Sequence, residues 1–144
     1  MDVNQLCKLA EIGTCLATIS LAVIAWSQIR QLTTQATTSF EDSLTEQYRR
    51  IMEDIPADIW LGSGLEVLRD ERQREQCRDA IYRYIDLSNE QAFLHHEGRI
   101  RSETWTKWKE GIEFNMKLSA FEDVWREVAS KAPKNFEFLR DMIP

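Results

Sequence analysis

The stretch IGTCLATISLAVIAWSQI, residues 12–29, runs for eighteen positions without a charged side chain. Wound as an α-helix at about 1.5 Å per residue it is about 27 Å long, close to the hydrocarbon thickness of a bilayer. The sequence therefore predicts one N-terminal transmembrane helix, with residues 1–30 as tail and anchor. Trp26, Gln28 and Arg30 form its interfacial edge. A cleaved signal peptide is the competing reading, and Val23-Ile24-Ala25 resembles a cleavage site. However, Asp2, Lys8 and Glu11 do not make the basic leading region such a peptide carries, so a retained helix is expected. Arg30, Arg49 and Arg50 follow the stretch and Lys8 precedes it, which by the positive-inside rule predicts a single-pass protein of the inner (plasma) membrane with a cytoplasmic C-terminal domain.

The same stretch has two sides. Leu9, Ile12, Leu16, Ile19, Val23 and Trp26 recur at spacings of three and four and form a bulky stripe. The other side is mostly small. Gly13 and Ala17 make a small-xxx-small pair flanked by Thr14 and Thr18, which would let two helix backbones approach closely. Two readings stand: self-association through the small face into a homo-oligomer, or a lone anchor with chance spacing. Because Thr14, Thr18 and Ser20 bring hydroxyls but no charge, a pore lined by this helix would have no charged ring to select ions.

The chain has 144 residues and a net charge of −6, and residues 31–144 alone carry 22 acidic and 16 basic side chains. This balance excludes a nucleic-acid partner held by counterion release, which needs a basic face. Arg69, Arg72, Arg74 and Arg78 alternate with Asp70, Glu71, Glu75 and Asp79, the pattern of a solvated, ion-paired surface. Of three cysteines only Cys77 lies beyond the anchor, so no disulfide is expected within that region, in keeping with a reducing compartment.

The remainder reads as helices. Residues 31–55 suggest a stalk followed by an amphipathic segment. Thr33, Thr34, Thr37, Thr38 and Ser39 are poor helix formers, whereas Phe40, Leu44, Tyr48, Ile51 and Ile55 share one face, and Pro56 closes the segment. Trp60-Leu61-Gly62-Ser63-Gly64 reads as a turn. A long helix is expected from about Asp70 to His96, with Gly98 as its stop. Ser102 is the candidate N-cap of a helix carrying Trp105, Trp108, Ile112 and Met116. Ser119 and Glu122 suggest a capping box, and Asn135 a cap for a last short helix. No stretch alternates as a strand does. The fold class is all-α, an anchor plus a bundle of four or five helices over residues 56–144.

Few residues suggest chemistry. Asp86, Asn89 and Glu90 are three and four apart and share a helix face, followed by His95 and His96. A polar core cluster pairing with an arginine is expected in preference to an acid–base or metal site, because two adjacent histidines on different faces offer too few ligands. No phosphate-binding glycine loop or nucleophile elbow is present. Neither cofactor nor metal is expected. Trp60, beside a glycine turn, is the candidate partner surface.

Residues 84–138 carry DLSNEQ, then GRI, then W-x-x-W-x-x-GI, then AF-x-x-x-W. This pattern resembles the C-terminal part of small bacterial single-pass membrane proteins of unknown function. The plan of one helix plus a small helical domain is also similar to that of accessory membrane effectors of antiphage systems. Together with the missing catalytic residues, these features suggest a non-enzymatic, self-associating protein that perturbs or gates the membrane, as in phage defence. The alternative is a membrane-tethered scaffold that recruits a cytoplasmic protein.

Overall fold

A computed structural model describes the backbone of residues 3–143 and the side chains of residue 14 and residues 16–143. Gly13, Cys7 and Cys15 lie outside the residues whose side chains are described. The described chain is helical, with no strand: α1 (Val3–Glu53), α2 (Ala57–Trp60), a short 3-10 turn (Leu65–Val67), α3 (Glu71–His96), α4 (Ser102–Asn115), α5 (Ser119–Lys131) and α6 (Glu137–Met142). It forms two compact units, Met1–Ser39 and Phe40–Pro144. The division falls within α1, so the amphipathic segment from Phe40 onward belongs to the bundle and not to a stalk.

In the first unit the threonine-rich run is helical despite its low propensity. Thr33, Thr34, Thr37 and Thr38 each donate a hydroxyl hydrogen bond to the carbonyl four residues earlier, at 2.9, 2.9, 3.1 and 3.0 Å. These bonds satisfy the hydroxyls locally without unwinding the backbone.

The second unit is built around α3, against which α4, α5, α6 and the 3-10 turn pack. Its inward face repeats at helical spacing through Cys77, Ala80, Ile81, Tyr84, Ile85, Ser88 and Gln91. Asp70 caps its start, its carboxylate accepting the Arg72 N–H at 3.1 Å. At its end Gly98 adopts φ +68°. The Gly98 N–H bonds the His95 carbonyl and the Arg99 N–H bonds the Leu94 carbonyl, both at 2.9 Å. These two bonds form a Schellman closure, which needs the left-handed residue that glycine supplies at little cost.

Leu44 and Ile51 face this core from α1 and Ile55 from the turn that follows it, joined by Ile59, Ile112, Met116, Phe121, Val124 and Leu139. An aromatic group ties the layers together: Phe121 lies 5.2 Å from Tyr84 and 5.1 Å from Trp60, centroid to centroid.

Three helix starts differ from the sequence expectation. Ser102 and Ser119 are first helical residues, not caps; Arg101 and Leu118 precede them without a side-chain cap bond. Glu122 turns outward to Arg126 at 3.1 Å instead of closing a capping box. Phe136, not Asn135, occupies the cap position before α6, in a left-handed conformation at φ 60°, ψ 40° and without a side-chain cap bond. That geometry costs about 1–2 kcal/mol for a non-glycine residue. Burial of the Phe136 ring beside Tyr82 and Trp125 holds it there. Arg140 closes the preceding loop by donating to the carbonyls of Ala129, Ala132 and Asn135.

Candidate functional sites

The first unit presents an apolar surface. Leu16, Ile19, Leu21, Val23, Ile24, Trp26, Ile29 and Leu32 are each between 51 and 68 % exposed. The hydroxyls among them are satisfied within the helix: Thr18 and Ser20 donate to the carbonyls of Thr14 and Leu16 at 2.9 Å, and Ser27 to that of Ile24 at 2.8 Å. Thr14, Ala17 and Thr18, from the predicted association face, are exposed. Among the described residues no helix is long and apolar enough to cross a membrane. The physical reason is length. Eighteen residues counted from Leu16 reach Thr33 and take in Gln28, Arg30 and Gln31. The apolar stretch read from the sequence also uses Ile12, Gly13 and Cys15, outside the described side chains.

The polar cluster on α3 is not a core cluster. Asp86, Asn89 and Glu90 do share a face, but it is turned away from Ile81, Tyr84 and Ile85, so Asp86 and Glu90 are exposed and Asn89 is half-buried. Asn89 anchors α6, its Oδ1 accepting the Leu139 N–H at 3.1 Å. Asp86 and Glu90 line an open groove with Arg50 and Arg83. His95 stacks on Trp105 at 4.8 Å, while His96 lies against Phe138. Among the described residues no group of three or more His, Cys, Asp or Glu side chains is placed to hold a metal. Trp60 is half-buried with its ring against Tyr84 and Phe121, and its indole N–H has no hydrogen-bond partner. At this turn it is Leu61, 84 % exposed, that faces outward. Burial pushes the Cys77 thiol up to about 11, which makes it a poor nucleophile.

The strongest polar constellation centres on Glu41, a residue the sequence reading did not single out. Its carboxylate is only 4 % exposed. It accepts the backbone N–H of Arg101 at 2.8 Å, the Arg101 guanidinium through Nε and Nη2, and the Thr104 hydroxyl at 2.9 Å. Burial pushes this carboxyl up, but the bonds from Arg101 and Thr104 outweigh it and hold the group below the ordinary glutamate value. Glu41 thus supplies from α1 the side-chain cap that the start of α4 lacks within its own sequence, adding a second carboxylate to Glu103 of the first turn. No local spacing reveals this, because the partners are sixty residues apart.

A second feature is a cavity of about 210 Å³ between the bundle part of α1, α3 and α4. Thr45 and Tyr48 line it from α1, and Tyr84 and Gln91 from α3; α4 adds Lys107, Trp108, Gly111, Ile112 and Asn115. Asn115 Nδ2 donates to the Tyr84 hydroxyl at 3.0 Å. Burial raises the pKa of both Tyr48 and Tyr84, opposed at each by the nearby Asn115 amide, so both phenols stay protonated at neutral pH. Gln91 is 5 % exposed as a residue, and its amide, which makes no hydrogen bond to a described residue, opens onto the cavity. Gly111 sits mid-helix, where glycine costs about 0.5–1 kcal/mol relative to alanine. A Cβ built there meets no atom within 4 Å, so close packing does not require the glycine. No local sequence signal marks this cavity, because the burial of Gln91 and Asn115 is set by which helices meet.

No protein-family model, curated protein or solved structure matches this chain. Any functional reading therefore rests on its own residues.

Proposed function

We propose that this chain is a membrane-anchored, non-enzymatic helical protein that presents its bundle at the cytoplasmic surface of the inner membrane and self-associates there. The observation that carries this reading is the run of eight large apolar side chains between Leu16 and Leu32, all exposed on a helix whose hydroxyls are internally bonded. Covering each such side chain is worth about 1.5–3 kcal/mol, and lipid covers them on every side at once. Hydroxyls already bonded to the helix add no desolvation penalty there. A full crossing uses residues 12–15 as well as the described run. The face of Gly13, Thr14, Ala17 and Thr18 serves association, and the role is that of an effector or accessory subunit that perturbs or gates the membrane, as in phage defence. Leu61 and Phe114, both well exposed on the bundle, favour a second reading, a tethered scaffold for a cytoplasmic protein.

Flotation of the full chain with lipid vesicles at alkaline pH tests the anchor. The wild type stays with the lipid, and Leu21→Arg, costing about 2.5–3.5 kcal/mol at mid-bilayer, shifts it toward the soluble fraction. A wild-type chain that washes free of the vesicles overturns the reading. Its mass in mild detergent tests association: a monomer, unaltered by Gly13→Leu or Ala17→Leu, removes that part.

A further inference from the structure

We propose that the cavity between α1, α3 and α4 binds a small planar heterocycle with a hydrogen-bond donor and acceptor side by side, of the nucleobase kind. This inference does not depend on the membrane reading. It begins with Gln91. Its amide makes no hydrogen bond within the described protein and is not sealed off: its polar atoms open onto the cavity, where a ligand can reach them. A carboxamide offers a donor and an acceptor in one plane, the pattern by which glutamine and asparagine pair with the edge of adenine. Asn115 adds a second amide. Its Nδ2 is committed to the Tyr84 hydroxyl, while its Oδ1 accepts no bond from a described residue.

The walls suit the same class of molecule. Tyr48 and Trp108 offer aromatic surface for a flat ring, the most sequence-tolerant way proteins hold bases. The volume of about 210 Å³ exceeds the roughly 150 Å³ that accommodates benzene in an engineered apolar cavity, leaving room for a substituted ring. Gly111 leaves the approach open, since no side chain stands where its Cβ would be. Lys107, exposed at the rim, places a cation where a phosphorylated base would carry its anion.

The full chain in mild detergent is titrated with adenine, cytosine, uracil, hypoxanthine and their nucleoside 5′-monophosphates, read by calorimetry and thermal shift, with toluene as an apolar control. The expected result is saturation of one site per chain by at least one of these compounds, with a raised melting temperature. Gln91→Leu weakens that binding about tenfold or more, while the unliganded variant melts close to the wild type, because the substitution breaks no hydrogen bond within the protein. Gly111→Leu, which fills the approach without touching Gln91, abolishes binding and decides the matter if Gln91→Leu does not fold. Equal affinity for base and monophosphate identifies the free base as ligand; a gain of about tenfold for the monophosphate, lost in Lys107→Ala, identifies the nucleotide. Absence of binding by every base and monophosphate at millimolar concentration overturns the proposal. So does binding that Gln91→Leu and Gly111→Leu leave unchanged.

Discussion

Helix α1 contains two stretches that both carry large apolar side chains and meet opposite fates. From Leu16 to Leu32 the large side chains are exposed, whereas Leu44 and Ile51 are buried. The difference lies in what surrounds the apolar positions. In the second stretch they occupy one stripe, and the opposite side carries Glu46, Arg49, Arg50 and Glu53 for water. Such a stripe has one buried face and is covered by the rest of the bundle. In the first stretch apolar and small residues circle the helix, and from Leu16 to Ile29 no charge marks a side for solvent. A helix apolar all round has no single face for one partner to cover.

The largest effect that would break this contrast comes from the core. Phe121→Ala removes a fully buried ring from between Trp60 and Tyr84 and is expected to destabilise the bundle by about 3–5 kcal/mol, read by near-ultraviolet circular dichroism on heating. Leu21→Ala in the first stretch should leave the same melting curve within about 0.5 kcal/mol. An equal loss from both would mean that Leu21 is packed in the folded protein.

An intermediate effect is expected at Glu41, which joins α1 to the bundle through charge and not through apolar packing. Glu41→Gln keeps the shape but weakens the bonds to Arg101 and Thr104, at a cost of about 1–3 kcal/mol; the half-exposed guanidinium keeps the figure below that of a fully buried pair. The pH dependence has a definite sign. A carboxyl held below its unfolded value stabilises the fold above the ordinary glutamate pKa of about 4.3, and that contribution is lost as the pH falls through the folded value. Glu127, held down chiefly by its hydrogen bond with Lys131, contributes in the same direction. The difference between wild-type and Glu41→Gln urea curves from pH 6 to pH 3 isolates Glu41: it should shrink on acidification. A constant difference would show that the carboxylate charge is not what Arg101 reads.

The smallest effect sharpens the comparison from the solvent side. Arg126 pairs with Glu122 and Asp123 on an exposed face of α5. Arg126→Ala should shift stability by no more than about 0.5 kcal/mol, and by less in high salt. A larger, salt-insensitive loss would place that face in an interface.

Much of the fold was legible in local patterns. The inward face of α3, its Asp70 start and its Gly98 stop follow from spacing and from the chemistry of two end residues, which act within a turn of where they stand. The caps of α4, α5 and α6 were not legible in the same way, because the groups that complete two of those ends come from elsewhere: Glu41 reaches the start of α4 and Arg140 the end of α5. The face of Asp86, Asn89 and Glu90 was visible as a face, but periodicity does not say which face a second helix covers. Trp60 likewise could be placed at a turn, though its packing on Tyr84 and Phe121 depends on residues far along the chain.

Composition and spacing alone determined that this chain is helical, where α3 begins and ends, and that its N-terminal stretch is apolar on every side. Those properties arise from backbone propensity and from side chains within four residues of one another. Tertiary structure alone decided that Glu41 would become the side-chain cap at the start of α4, that Gln91 and Asn115 would border one cavity, and that Asp86 and Glu90 would stay in water. These outcomes depend on which helices meet, and a polar group's burial and partners are set by that meeting and not by its neighbours in sequence.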